Sequence, residues 1–330
     1  MTSLTRNRAI AFAQALFLTV ASLVCVGQDN QESYEGAVRS SAEDGLGPRN
    51  GANWLLKREV NMVLVPVTVT DEEDRLVLGL GKENFGVFEG RKQQAISHFS
   101  TEDAPISLGV VFDTSSSMTQ KFELAREAMV RFLLSSNPQD EFFLVAANKR
   151  PELLIDFTSS VEEVQSDLSK ATPSGTTALL DAVYLSLSQM KRAGYEKKVL
   201  LIVSDGKDNH SRYSTNEVLS LVREAGVQIY AMGILDGLPK SKANRMGLQL
   251  LATMTDVTGG RTFPIRGSKA IGEAAARLAT ELRSQYLIAY RPNNLLHDGR
   301  WRRIKVRVVP PQNSPRLRVY AKTGYYAPAP

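Results

Sequence analysis

The stretch Ile106-Ser-Leu-Gly-Val-Val-Phe-Asp-Thr-Ser-Ser-Ser-Met118 changes character at one point: an apolar run stops at Phe112, and Asp113 is followed by four hydroxyl residues, Thr114 to Ser117. A short apolar run bounded by polar turn formers predicts a fully buried strand. Beyond it, apolar residues recur with helical spacing from Lys121 to Leu134. A strand that empties into a polar loop and then a helix is the unit from which open α/β sheets build their sites, at strand carboxyl ends.

The same rhythm continues on both sides. Strands are predicted at Ile106–Phe112, Glu141–Ala147, Glu152–Phe157, Lys198–Ser204, Val227–Ile234 and near Gln285–Tyr290. Helical patterns at Lys121–Leu134, Val161–Lys170, Ala178–Arg192, Thr215–Ala225, Ala243–Val257 and Lys269–Arg283 lie between most of them. This alternation predicts an α/β fold, a doubly wound, mainly parallel, Rossmann-like sheet with helices on both faces. Lys149-Arg150-Pro151 leaves room only for a tight turn, so one antiparallel hairpin is expected there.

Two further loops share the chemistry of the first. Val199-Leu-Leu-Ile-Val-Ser ends in Asp205-Gly-Lys-Asp-Asn209, a second carboxylate at a second strand end, with Gly206 permitting a sharp turn. Thr172-Pro-Ser-Gly-Thr-Thr177 places hydroxyls at the start of a helix. Each hydroxyl taken alone has a plain structural role, since Ser and Thr are favoured helix N-caps. Three strand-end loops offering oxygen donors together are the ligand set of a hard cation, Mg2+ first, Mn2+ or Ca2+ next, and they disfavour zinc.

Asp113-x-Ser115-x-Ser117 after an apolar strand, Gly175-Thr-Thr-Ala-Leu-Leu-Asp-Ala182, and Ser204-Asp205-Gly206 resemble the metal-ion-dependent adhesion site of von Willebrand factor type A (VWA) domains. The resemblance covers roughly residues 105–283. Aligning on Asp181-Ala182 places the metal-binding threonine at Thr177, with Thr176 standing where family members often carry a second glycine. The resemblance implies a metal held by Asp113, Ser115, Ser117, Thr177 and Asp205, with one position open to a Glu or Asp of a protein partner. The implied function is a metal-ion-dependent, adhesion-type protein-binding module. A metal-independent interaction scaffold of the cell envelope is the alternative, and a metallohydrolase stands behind both.

An enzyme is not expected. A hard metal beside carboxylates can activate water, but the neutral-range bases are His98 and His297 in the flanks and His210 on a loop. No Ser/His/Asp motif, phosphate-cradling Gly loop or nucleophilic Cys is found in the sequence, and Gly259-Gly260 reads as a helix C-cap.

The flanks are β in character. Val60 to Thr70 reads as a strand, Asp71 to Asp74 as a turn, Arg75 to Leu80 as a second strand, and Phe85–Arg91 and Ala95–Phe99 as further strands. Pro66 points to an edge strand. Arg303–Val309 and Arg316–Tyr320 alternate apolar with basic residues, so one face is buried and one is wet. The two flanks, 58–102 and 291–330, are therefore expected to meet as an accessory β module beside a VWA domain at 105–290. Val65-Pro-Val-Thr-Val-Thr-Asp71, Asn84-Phe-Gly-Val-Phe-Glu-Gly-Arg-Lys-Gln-Gln94 and Gly324-Tyr-Tyr-Ala-Pro328 resemble the exported VWFA-related proteins of acidobacteria.

At the amino terminus, Arg6 and Arg8 precede an uncharged run from Ala9 to Val26, which reads as a secretory signal peptide over 1–27 and a flexible linker over 28–57. A retained membrane anchor is the competing reading. Hydrophobic residues at 43% and charged residues at 23% exclude a disordered chain. Cleavage lowers the formal charge from +5 to about +3, too small a bias to support nucleic-acid binding. Cys25 is the sole cysteine and would leave with the signal peptide, ruling out disulfides. The expected location is periplasmic or extracellular. Mass spectrometry of the protein from its native host should give an amino terminus near Gln28; a membrane-embedded chain retaining Cys25 would overturn export by cleavage.

Overall fold

The computed structural model describes residues 62–101, 103–235, 241–310 and 316–329. The expected signal peptide, the expected linker and Cys25 lie outside the described residues. In chain order the strands and helices are β1 (Val63–Thr70), β2 (Phe85–Glu89), β3 (Lys92–Gln94), β4 (Ile96–Ser100), β5 (Ser107–Asp113), α1 (Phe122–Leu133), β6 (Glu141–Ala147) and β7 (Glu152–Thr158). Then follow α2 (Val161–Lys170), α3 (Leu179–Gln189), β8 (Lys198–Ser204), α4 (Thr215–Glu224), β9 (Gln228–Ile234), α5 (Lys242–Thr258) and β10 (Thr262–Ile265). The chain closes with α6 (Gly267–Arg283), β11 (Tyr286–Tyr290), β12 (Trp301–Val308), β13 (Arg318–Ala321) and β14 (Gly324–Tyr326).

The central sheet has the order β10-β9-β8-β5-β6-β7, parallel throughout except for β7. Period-two alternation divides its side chains between two cores. Leu108, Val110 and Phe112 face α1, α2 and α6, while Val111, Phe143 and Ile202 face α3, α4 and α5. Helices thus cover both faces, as the alternation of elements predicts.

The flanks form two antiparallel sheets, β13-β1-β11-β4 and β14-β12-β2-β3. The N-terminal strands β1 and β2 pair with the C-terminal strands β13 and β12. Val65, Val67, Val87, Tyr286, Ile288 and Ile304 fill one core between the sheets. Phe85, Phe99 and Tyr286 cluster inside it with ring centroids 4.8–5.9 Å apart.

Several expectations need correction. The strand near Gln285–Tyr290 is not the last strand of the α/β sheet; β11 lies between β1 and β4 in the sandwich. The sheet ends instead on β10, whose Thr-Phe-Pro-Ile is too short to carry a periodic signal. Arg75–Leu80 is not a strand: it makes one isolated bridge, Thr70 to Leu76, and the chain is drawn aside where Tyr286 Oη donates to Val77 O at 2.8 Å and accepts from Leu80 N–H at 3.1 Å. Pro66 does not mark an edge strand, since β1 is interior. β13 pairs only with Val67–Thr70, however, so the strand is open on that side at Pro66 and the missing N–H is tolerated.

Arg261 ties the sandwich to the α/β lobe. Its guanidinium pairs with Asp74 and, at 2.9 Å, with Glu281, and lies 4.5 Å from the Tyr320 ring centroid. Tyr230 Oη donates to Glu281 at 3.1 Å, and Gln285 joins Tyr230 to Thr68 of β1. Burial pushes the Glu281 carboxyl up, and Arg261 offsets part of that rise. Removing the guanidinium strands a carboxylate whose side chain is 2% exposed. Arg261→Met is therefore expected to lower stability by about 3–5 kcal/mol in urea unfolding; a loss within about 0.5 kcal/mol, the range of a neutral surface change, would show that this network does not hold the lobes together.

Candidate functional site

Because β5 and β8 are adjacent and parallel, Asp113 and Asp205 emerge side by side at the carboxyl edge of the sheet. Asp113 is 0% exposed and Asp205 1%, so neither charge is met by bulk water and each requires partners within the protein. The two are met differently. Asp113 Oδ1 accepts from Ser115 N–H at 3.0 Å and Oδ2 from Ser204 Oγ–H at 2.5 Å. Burial pushes the Asp113 carboxyl up; Ser204 and Ser115 counter part of this, and the Asp205 charge adds to it.

Asp205 has cations. Lys121 Nζ donates to its Oδ2 at 2.6 Å and Lys207 Nζ to the same oxygen at 2.8 Å, while Lys207 N–H reaches Oδ1 at 3.1 Å. Burial alone would raise this carboxyl, but the two lysines outweigh it and hold Asp205 below the usual carboxylate range. Lys121 was unforeseen. In the sequence it opens the α1 pattern as an ordinary helix-end cation, and only the buried carboxylate opposite it, 84 residues away, gives it a different role.

The hydroxyls converge on loops that are stitched to one another. Ser115 is buried and Ser117 half-buried, with their Oγ atoms 3.2 Å apart. Ser116 N–H donates to Gly175 O at 3.1 Å and Ser174 N–H to Thr114 O at 2.8 Å, joining the first loop to the second. Thr177 N–H donates to Asn209 Oδ1 at 3.0 Å, and Asn209 N–H and His210 N–H return to Thr177 O, joining the second to the third. Thr177 is buried and Thr176 exposed. All five residues expected at the site lie on these three loops.

Glycine makes the third loop feasible. Gly206 adopts a positive φ of 76°, and a Cβ there would stand 2.2 Å from Gly247 O of α5. A Cβ on Gly247 would in turn stand 2.1 Å from Asp205 O, so α5 lies directly against the loop that carries the second carboxylate.

One expectation changes here. No threonine caps α3; the cap position is Ala178, without a side-chain bond. The free amides go to the third loop, where Asp208 Oδ2 accepts from Leu180 N–H at 2.9 Å and Ser211 Oγ accepts from Asp181 N–H at 3.2 Å. His210 is exposed, and its tie to the site is through its backbone N–H. His98 and His297 are exposed on the sandwich side of the chain. Among the described residues, no group of three or more His, Cys, Asp or Glu side chains is arranged to hold a metal. Any ion here would depend on two carboxylates supplemented by hydroxyls.

A family model of the von Willebrand factor type A domain matches residues 108–207, the span that contains all three loops up to Lys207. Inter alpha-trypsin inhibitor heavy chain 4 of Mus musculus is 27% identical over 146 residues, which cover 39% of this chain and 16% of that protein. The vWF domain of the type V pili tip protein Mfa5 from Porphyromonas gingivalis superposes with a TM-score of 0.45 at 14% identity, over 54% of this chain and 95% of that one. A von Willebrand factor type A protein from Catenulispora acidiphila gives a TM-score of 0.44 at 13% identity, over 80% and 73%. Among the described residues no helix is long and apolar enough to cross a membrane.

If the third loop caps α3, Asp208→Ala should lower stability by about 1–2 kcal/mol in urea unfolding. Thr176→Ala, at an exposed hydroxyl, should change it by less than about 0.5 kcal/mol. Equal losses would return the cap to Thr176.

Proposed function

From the von Willebrand factor type A domain that this chain carries, we propose a protein-binding module that holds a divalent cation through Asp113, Ser115, Ser117, Thr177 and Asp205 and captures an acidic side chain of a partner. The observation that carries this reading is the pair of buried carboxylates at adjacent strand ends, ringed by hydroxyls on three interlocked loops. The donors are all oxygen, which fits Mg2+ first and Mn2+ or Ca2+ next. A bound ion would supply positive charge and an open position for an outside carboxylate.

The chain's own residues do the rest. Ser115 and Ser204 orient Asp113, the two lysines orient Asp205, and Asn209 fixes the backbone of Thr177. Because these donors sit on strand ends and mutually bonded loops, little ordering entropy is lost when a ligand arrives. The rim adds charge of the matching sign. Lys149 and Arg150 are exposed beside the first two loops, Lys207 is half-exposed, and Arg212 has 84% of its side chain in solvent. Such a rim speeds encounter with an acidic partner and makes the rate sensitive to salt. The role read here is binding rather than turnover.

A second reading, a scaffold that binds without metal, is favoured by one observation. Lys121 already neutralises Asp205 inside the protein. Export to the periplasm or cell surface rests on Arg6, Arg8 and the apolar run that follows them.

Calorimetry with Mg2+ or Mn2+ on the protein and on Asp113→Ala tests the first reading, with ion binding expected in the former and lost in the latter. Equal binding would remove Asp113 from the site, and no binding in either would favour the scaffold. Thr177→Ala is expected to weaken metal-dependent capture of an acidic partner while Thr176→Ala leaves it intact. Swapped phenotypes would shift the ligand by one residue.

A further inference from the structure

Lys121 is placed by the site's own loop. After Ser115 the chain makes a short 3-10 turn over Ser116–Met118, and Lys121 N–H closes onto Met118 O at 2.8 Å before α1 begins. This turn brings the side chain to Asp205, and a residue at the head of a helix is buried. The Lys121 side chain is 5% exposed and its Asp205 partner 1%. Lys207 reaches the same Asp205 oxygen, but with 35% of its side chain in solvent. Lys207 reaches Asp205 from a partly solvated position, whereas Lys121 does so from a buried one.

We infer that Lys121 is a resident cation of this site: a protein-borne positive charge that stands in for a metal at Asp205, keeps the loops folded without one, and weakens the affinity of any divalent ion that enters. The inference rests on the reading above only in taking this constellation as the place where an ion would bind. Three observations support it. Both carboxylates are buried, so an empty site without an internal cation would hold two like charges with little water to screen them. The ammonium lies 2.6 Å from Asp205 Oδ2, closer than the Lys207 ammonium, and occupies that oxygen. Asp113, by contrast, is met by neutral donors from Ser115 and Ser204, so the charge supplied is directed at one carboxylate of the pair. An ion bound by both aspartates must then share Asp205 with an ammonium buried beside it, and the two positive charges repel at short range.

The test uses the full chain as wild type, Lys121→Gln, Lys121→Met and Lys207→Gln, with Mn2+ as the probe. Mn2+ affinity is measured by calorimetry, and thermal unfolding is followed in chelator and in saturating Mn2+. Both Lys121 variants are expected to bind Mn2+ about tenfold or more tightly than wild type, a conservative allowance for repulsion between buried charges a few ångströms apart. They should also unfold at lower temperature in chelator and recover when Mn2+ is added, while Lys207→Gln shifts affinity less. A purely structural ion pair would give the same loss of stability with and without Mn2+ and no gain in affinity, and that result overturns the inference. Variants that fail to fold even with Mn2+ present overturn it too, since the ion then cannot replace the ammonium. The two readings separate cleanly. Wild type that binds no Mn2+ beside a Lys121 variant that does would end the metal-dependent function and uphold the resident cation. Equal binding by both would do the reverse, and no binding by either would end both.

Discussion

Two carboxylates must be kept out of water at the ends of neighbouring strands, and the loops of this protein take their form from that constraint. Desolvation of Asp113 and Asp205 is the largest unfavourable effect at the site, and each neighbour answers it. Ser115 and Ser204 exist for Asp113 as hydrogen-bond donors, Lys121 and Lys207 exist for Asp205 as charges. The glycine pair Gly206 and Gly247 lets the second strand end turn sharply with α5 pressed against it. The same third loop then supplies Asp208 and Asn209, which settle the start of α3 and the backbone of Thr177. A change made to satisfy one charge therefore reaches all three loops.

Much of this was legible in the sequence because the α/β lobe is built from long periodic elements. Strands β6 and β8 and helix α2 fall on the residues their patterns predict, since burial on both faces gives a strand an unbroken apolar run and a surface helix shows one apolar stripe. The flanks were harder for a physical reason. β10 has four residues, one of them proline, and β11 has the same apolar run as a central strand of the lobe. A run of that kind says that a strand is buried but does not say in which sheet. Its place was fixed by partners 227 and 194 positions away, Val63 opposite Tyr290 and Ile96 opposite the same residue, and pairings at that distance leave no local trace.

The site divides along the same line. The carboxylates and hydroxyls announced themselves by residue type and position at strand ends, and the structure brings their three loops together. Lys121 did not, because a lysine at the head of an amphipathic helix is ordinarily solvated. The available signal was charge arithmetic: two strand-end carboxylates predicted to be buried call for a cation, and Lys121 is the basic residue within one turn of the first loop. Thr176, whose hydroxyl could either cap the helix or point elsewhere, is exposed, and the amides a cap would serve are taken by a loop that follows 28 residues later in the chain.

The sandwich and the site occupy opposite ends of the central sheet, and this bears on how a partner could approach. The seam between the lobes is made by Gln228 at the start of β9, by Arg261 just before β10, by Glu281 in the last turn of α6 and by Gln285 just before β11. In a parallel sheet those positions mark the amino ends of the strands, whereas Asp113 and Asp205 stand at the carboxyl ends. Joining the two flanks of the chain into one β sandwich closes the amino side of the sheet with a network of buried hydrogen bonds and ion pairs. The carboxyl side, where the charged rim of Lys149, Arg150, Lys207 and Arg212 lies, is left to the loops. The topology thus separates the surface that holds the chain together from the surface where the proposed partner would bind, and the buried charge of Asp205 at that second surface is balanced from within, by a lysine at the head of α1.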